Sequence, residues 1–147
     1  MQVLGVAILA WFIAQMTKVI RRSVKKGKID LYSLVASGGM PSSHTALVVA
    51  LTTQIGIIEG VNSSLFAISS VLSFITMYDA AGVRRAVGLQ ARKINQLLDG
   101  HIEDDDDIDE EKLKEILGHT PLEVAGGIIL GVLVALFFYY FINFLRA

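Results

Sequence analysis

Long apolar runs dominate this chain and limit what it can become. Val3–Ile20 is apolar up to the basic cluster of Lys18, Arg21 and Arg22, and Thr45–Ile58, Asn62–Tyr78 and Val124–Leu145 carry no charge at all. A helix that crosses the hydrocarbon core of a bilayer needs roughly 20 mostly apolar residues. The outer two runs meet that length, and the inner two reach it when their polar ends are counted. Hydrophobic residues make up 53% of the 147 residues, and the mean hydropathy is +0.57. A soluble bundle of buried helices is the competing reading. Helices that are apolar on every face instead point to a membrane or a far larger core. The expected fold is therefore all-α: a polytopic membrane helix bundle of about four transmembrane helices, in one domain covering residues 1–147.

Charge placement orients the bundle. Lys18, Arg21, Arg22, Lys25, Lys26 and Lys28 follow the first run, and Arg84, Arg85, Arg92, Lys93, Lys112 and Lys114 lie between the third and fourth. Only Arg146 lies elsewhere, so twelve of thirteen basic side chains fall on one side of a four-pass bundle. The positive-inside rule makes that side cytoplasmic in the cell membrane, with both termini outward. The first run lacks the basic leader and small-residue cleavage site of a removable signal peptide. A net charge of −1 implies no nucleic-acid partner, and with no cysteine there is no disulfide or thiolate chemistry.

Between the third and fourth runs the pattern changes. Val83, Val87, Ala91, Ile94 and Leu98 recur at helical spacing with Arg84, Arg85, Arg92 and Lys93 between them. This predicts an amphipathic interfacial helix extending the third span. Asp99–Glu115 then carries ten acidic residues, which reads as a solvated loop without the glycine and spacing of an EF-hand. His101 within it reads as exposed. Gly38-Gly39 marks a turn before Pro41. The four-residue spacings Gly56/Gly60 and Gly127/Gly131 would let helix backbones approach closely.

Four regions are expected to meet on the basic face: Lys18, Pro41–His44, Tyr78–Arg85 and the stretch GHTPLEVAGG from Gly118 to Gly127. Together they offer a lysine, two arginines, two histidines, an aspartate and a glutamate. Lysine and arginine bind phosphate oxygens, and a helix starting near Ser42 or Ser43 presents backbone N–H groups to the same anion. Two imidazoles can divide nucleophilic attack from leaving-group protonation. Each residue also has a plainer reading. Ser42 or Ser43 is a natural N-cap. Lys18 can snorkel, and His44 can be a satisfied interfacial side chain. Arg84 and Arg85 can anchor topology, and Asp79 can pair with one of them or with Lys18. Thr120-Pro121-Leu122-Glu123 makes a good capping box with proline at the first helical position. Glu123 thus has two readings, as a cap or as the partner of His119.

The strings MPSSHTA, YDAAGVRR and GHTPLEV, beginning at Met40, Tyr78 and Gly118, resemble those of the divergent branch of the phosphatidic acid phosphatase type 2 and vanadium haloperoxidase superfamily. Pro41–His44 is similar to the superfamily's PSGH motif, with Ser43 in place of glycine. His119 and Glu123 are similar to its HxxxD, with glutamate for aspartate. No arginine-proline pair follows Lys18 at the family spacing, and Arg85 stands far in sequence from His119. The resemblance implies a phosphatase acting on a lipid phosphate or diphosphate. His119 would be the nucleophile that forms a phosphohistidine, Glu123 its orienting carboxylate and His44 the acid. Lys18, Ser43 and Arg84 or Arg85 would hold phosphate, with Ser42 and Asp79 in support. No metal or cofactor is implied, and the expected partners are membrane lipids and a lipid phosphate substrate. A homo-oligomer is compatible with such a bundle.

Two other functions stand beside this one. A headgroup-binding or assembly protein could keep the cradle without the reaction. Asp79–Gly88 also has a faint likeness to the signature of metal-dependent alcohol phosphatidyltransferases, a chemistry that needs several aspartates around two cations. No further aspartate follows at helical spacing before Asp99.

Overall fold

The computed structural model describes residues 2–29, 39–99 and 119–146. The acidic stretch from residue 100 onward, His101, Lys112, Lys114, Gly38 and Gly118 lie outside the described residues. Among the described residues five helices follow one another: α1 (Gln2–Lys26), α2 (Ser43–Glu59), α3 (Ser64–Ala81), α4 (Val83–Asp99) and α5 (Pro121–Arg146). The protein is an all-α polytopic membrane bundle.

Local chemistry sets the helix ends. Lys25 and Lys26 sit in the last turn of α1, where cations offset the dipole's negative end, and Gly27 follows with φ 66°. Ser42 caps α2 and Ser63 caps α3, each side chain accepting from the backbone N–H three residues on. Gly60, at φ 83°, ends α2. One residue, Gly82, separates α3 from α4, so α4 continues the third span as the sequence pattern predicts.

Among the described residues, three stretches are long and apolar enough to cross a bilayer unaided: Gln2–Lys26, Ser64–Leu97 and Pro121–Leu145. The α2 helix has 17 residues, about 25 Å at the standard rise, which lies at the short end for a span. It is also the hub, packed against α1, α3 and α5. Val6, Ala10 and Ala14 of α1 meet Ala46 and Ala50 of α2 and Val134 and Ala135 of α5 in the core. Large apolar side chains such as Ile68, Phe74, Phe137 and Phe144 point outward instead. Lipid is as apolar as a protein core, so helices in a bilayer gain by close backbone packing rather than by hiding large residues. Hydrogen bonds assist: Thr52 Oγ1 and Ser73 Oγ lie 2.9 Å apart, and Ser73 Oγ donates to the Val48 carbonyl at 3.1 Å.

The Gly127/Gly131 pair serves this packing within the chain. A Cβ on Gly127 would stand 2.6 Å from the Ser42 carbonyl oxygen and 2.7 Å from Thr45 Cβ. One on Gly131 would stand 2.8 Å from the Ala46 carbonyl oxygen. Both carbonyl oxygens belong to the α2 backbone and cannot swing away. Gly127→Ala is expected to cost about 1–3 kcal/mol, the usual range for overpacking. A lowered thermal midpoint in detergent would show it; an unchanged midpoint would mean that α2 and α5 are not in such close contact.

The α4 helix packs on α3 among the described elements. Val83, Val87 and Ile94 are exposed. That is the disposition an interfacial helix needs, with an apolar stripe left for lipid.

Candidate functional site

Three hydrogen bonds tie four distant stretches together at one end of the bundle. Lys18 Nζ, on α1, donates to Ser43 Oγ at the start of α2, at 3.0 Å. The Ser42 N–H donates to the Glu123 carbonyl in the first turn of α5, at 2.9 Å. The His119 N–H donates to the Ala80 carbonyl near the end of α3, at 3.0 Å.

Lys18 is only 3% exposed. Its ammonium also donates to Gln15 Oε1 at 2.9 Å. A buried cation is costly unless its protons find acceptors, and these two take two of the three. Arg22 and Glu123 lie within electrostatic range of it. Gln15 was not singled out from the sequence. The signal was present: a polar side chain one helical turn before a lysine, inside an otherwise apolar run.

Ser42 and Ser43 divide their work. Ser42 is the cap, its Oγ accepting from the Thr45 N–H at 3.4 Å and from Thr45 Oγ1 at 3.0 Å. Ser43, the first helical residue, is left to meet Lys18. Both serines are buried.

Glu123 turns out to satisfy both of its readings. Its Oε2 accepts from the Thr120 N–H at 3.0 Å, while the Glu123 N–H donates to Thr120 Oγ1 at 3.3 Å, a complete capping box. The same Oε2 lies 3.1 Å from His119 Nδ1. The two roles do not compete, because His119 directly precedes the cap and its ring folds back over the first turn. The His119 side chain is 6% exposed and that of Glu123 21%. His44, one residue into α2 from Ser43, is exposed, and its ring centroid lies 6.5 Å from that of His119 with the planes tilted by 58°.

Asp79 is half-buried, next to the Ala80 that holds the His119 backbone. Arg84 and Arg85 stand in the first turn of α4, and their side chains lie outside the described residues. Lys18 and Glu123 line an open cleft of about 610 Å³ that runs along the last turns of α1. Among the described residues, no three His, Asp or Glu side chains gather as a metal-ligand group.

The fold and its polar end define a class: a multi-pass membrane protein whose histidine–carboxylate pair and lysine–serine pair converge beside one cleft. The chain belongs to the divergent PAP2 family, whose profile matches residues 1–134. At the level of that superfamily the associated chemistry is of phosphatase type. The chain is also 40% identical over 145 residues to the uncharacterized membrane protein YuiD of Bacillus subtilis (strain 168), covering 92% of each chain. No solved structure matches.

Proposed function

We propose that the protein hydrolyses a lipid phosphate or diphosphate at the membrane surface through a phosphohistidine on His119. The supporting observation is the His119–Glu123 pair facing His44, at the same helix ends as Lys18 and Ser43. If His119 Nδ1–H donates to Glu123, the lone pair lies on Nε2 and the ring is held in its nucleophilic tautomer. Nε2 attacks phosphorus and the bond to the lipid oxygen breaks. His44 gives its proton to that oxygen. Water, deprotonated by His44, then attacks the phosphohistidine. Inorganic phosphate leaves and the imidazole is restored.

Charge on the phosphoryl oxygens has to be met throughout. Lys18 supplies a cation, Ser43 a hydroxyl, and the first turn of α2 its N–H groups. Arg84 or Arg85 would complete the cradle from α4. This reading calls on no metal, because side chains and a helix end carry the charge. The site lies at the basic end of the bundle, which the positive-inside rule assigns to the cytoplasm. A membrane-embedded site suits a substrate that cannot leave the bilayer, and the basic α4 would attract anionic headgroups.

The deciding experiment measures phosphate release from lipid phosphates by detergent-purified protein, with and without vanadate. Vanadate adopts the geometry of the phosphoryl centre in flight, so it should inhibit. No release from any lipid phosphate would sink the hydrolase. It would leave the second reading, a headgroup-binding protein, for which the Lys18–Ser43 contact is the supporting observation: the serine that replaces the motif's glycine spends its hydroxyl on the cradle's own cation.

Glu123→Gln separates capping from orientation. Glutamine still serves a capping box. It removes the negative charge beside His119, and kcat should fall by about 10²–10⁴-fold, the scale for neutralising a triad carboxylate. The thermal midpoint should hardly move. A full-rate variant would show that Glu123 only caps.

A further inference from the structure

The row of small residues that packs α1 on α2 gives way to amide side chains at the far end of the bundle. Gln2 stands four residues before Val6, Ala10 and Ala14 in the α1 row, and Gln54 four residues after Ala46 and Ala50 in the α2 row. Residues four apart are neighbours on a helix face, so both amides continue the seam. Gln2, Gln54, Tyr139 and Asn143 line a pocket of about 240 Å³ there, between α1, α2 and α5. The pocket is remote from His119 and Lys18. Glu123 and Asn143 stand twenty residues apart on α5, about 30 Å, the thickness of a hydrocarbon core.

Gln54 is 2% exposed, and its Oε1 finds no hydrogen-bond partner among the described residues. A buried amide left unpaired is destabilising, and native folds leave few of them. Its last torsion is broad, so the amide can turn either its oxygen or its nitrogen toward a ligand. A hydroxyl answers both, because it donates and accepts, and it suits the Gln2 and Asn143 amides equally. No charged side chain lines the pocket among the described residues. A charged ligand would give up its hydration there without a counter-charge, so the pocket selects a neutral one. Ile58 is 47% exposed and Tyr139 39%, which opens the pocket on the flank of the bundle. Tyr139 meets Tyr140 edge to face at 5.4 Å, and tyrosines of membrane proteins gather at headgroup depth.

We infer that this pocket binds the neutral, hydroxyl-bearing headgroup of a lipid, on the membrane face opposite His119. A glycerol or sugar head is the matching class. Its hydroxyls pair with the Gln54, Gln2 and Asn143 amides, and its chain runs past Ile58 and Phe138, which supply the apolar part of the lining. Bound there, the lipid joins α1, α2 and α5 at the ends remote from Lys18, Ser43 and His119. The site stands whether or not the protein is a hydrolase.

The test places the protein in phosphatidylcholine nanodiscs with a monoacylglycerol that carries a photoactivatable diazirine at the head end of its chain. The control probe has the same chain on a phosphocholine head. Labelling of residues 54–58 and 138–143 should favour the glycerol head by about fivefold, the worth of one neutral hydrogen bond. Excess monoolein should suppress it. If free glycerol suppresses it equally well, the hydroxyl site is upheld and its ligand is a free polyol. Gln54→Leu should bring the ratio close to one. It replaces an unpaired buried amide at similar volume, so the thermal midpoint should not fall. Asn143→Leu, at an exposed position, should lower the ratio by about twofold, and it decides the matter if Gln54→Leu does not fold. Equal labelling by the two heads, or a ratio unchanged in the folded variants, would overturn the site. So would a lowered midpoint in Gln54→Leu with no headgroup preference in the wild type, the pattern of an amide that holds only water.

Discussion

His119→Ala is expected to abolish phosphate release, by about 10³-fold or more, on the scale seen when a catalytic nucleophile is removed. The reason is covalent. In the proposed reaction, the bond to phosphorus is made by His119 Nε2, the ring nitrogen opposite the one that meets Glu123, and the His44 ring stands 6.5 Å away, centroid to centroid. The variant should also trap no phosphoenzyme when the wild type is quenched during turnover with labelled substrate. Structural damage should be modest. The backbone bond from the His119 N–H to the Ala80 carbonyl survives alanine, and so does the Thr120–Glu123 capping box. Substantial phosphate release by a folded His119→Ala protein would end the phosphohistidine mechanism. Unimpaired binding of phosphate lipids by the same variant would be expected of a headgroup binder.

Lys18→Met should produce the second-largest loss, about 10²–10³-fold in kcat, the range found when a positioned donor to developing charge is removed. Methionine fills nearly the same buried channel without the ammonium. It leaves the Gln15 carbonyl and the Ser43 hydroxyl short of one donor, which costs about 1–3 kcal/mol for a buried polar group. Removal of a desolvated cation offsets part of that. A large kinetic loss with a small shift in thermal midpoint is therefore the expected pattern. A reversed pattern, with stability lost and rate kept, would make Lys18 a structural strut between α1 and α2.

Much of the fold was legible in the sequence. The runs at Val3–Ile20 and Val124–Leu145 need no tertiary information, because in a bilayer only a helix satisfies a long apolar backbone internally. The amphipathic continuation through Val83, Val87 and Ile94 was legible for a similar reason, since periodicity alone separates its two faces. The α2 helix was harder to read. Its 17 residues are close to the minimum for a span, and although the Gly127/Gly131 spacing marked a close approach, nothing local named α2 as the helix that meets it. The candidate site divides likewise. Lys18, Ser43, His44, His119 and Glu123 were each named from motif and chemistry. Gln15 was missed because a lone polar side chain inside an apolar run becomes interpretable only when its partner is seen.

The sequence by itself determined what can cross a membrane, where helices begin and which end gathers positive charge, because hydration, capping and charge placement act over a few residues. Only the tertiary structure decided that Glu123 both caps α5 and meets His119, that Ser43 rather than Ser42 faces Lys18, and that Gly39 lies over Arg22. Those outcomes depend on how closely α1, α2 and α5 approach. That approach is set by van der Waals contact between small residues far apart along the chain, and a local spacing such as Gly127/Gly131 shows that a helix can pack closely but not against which partner.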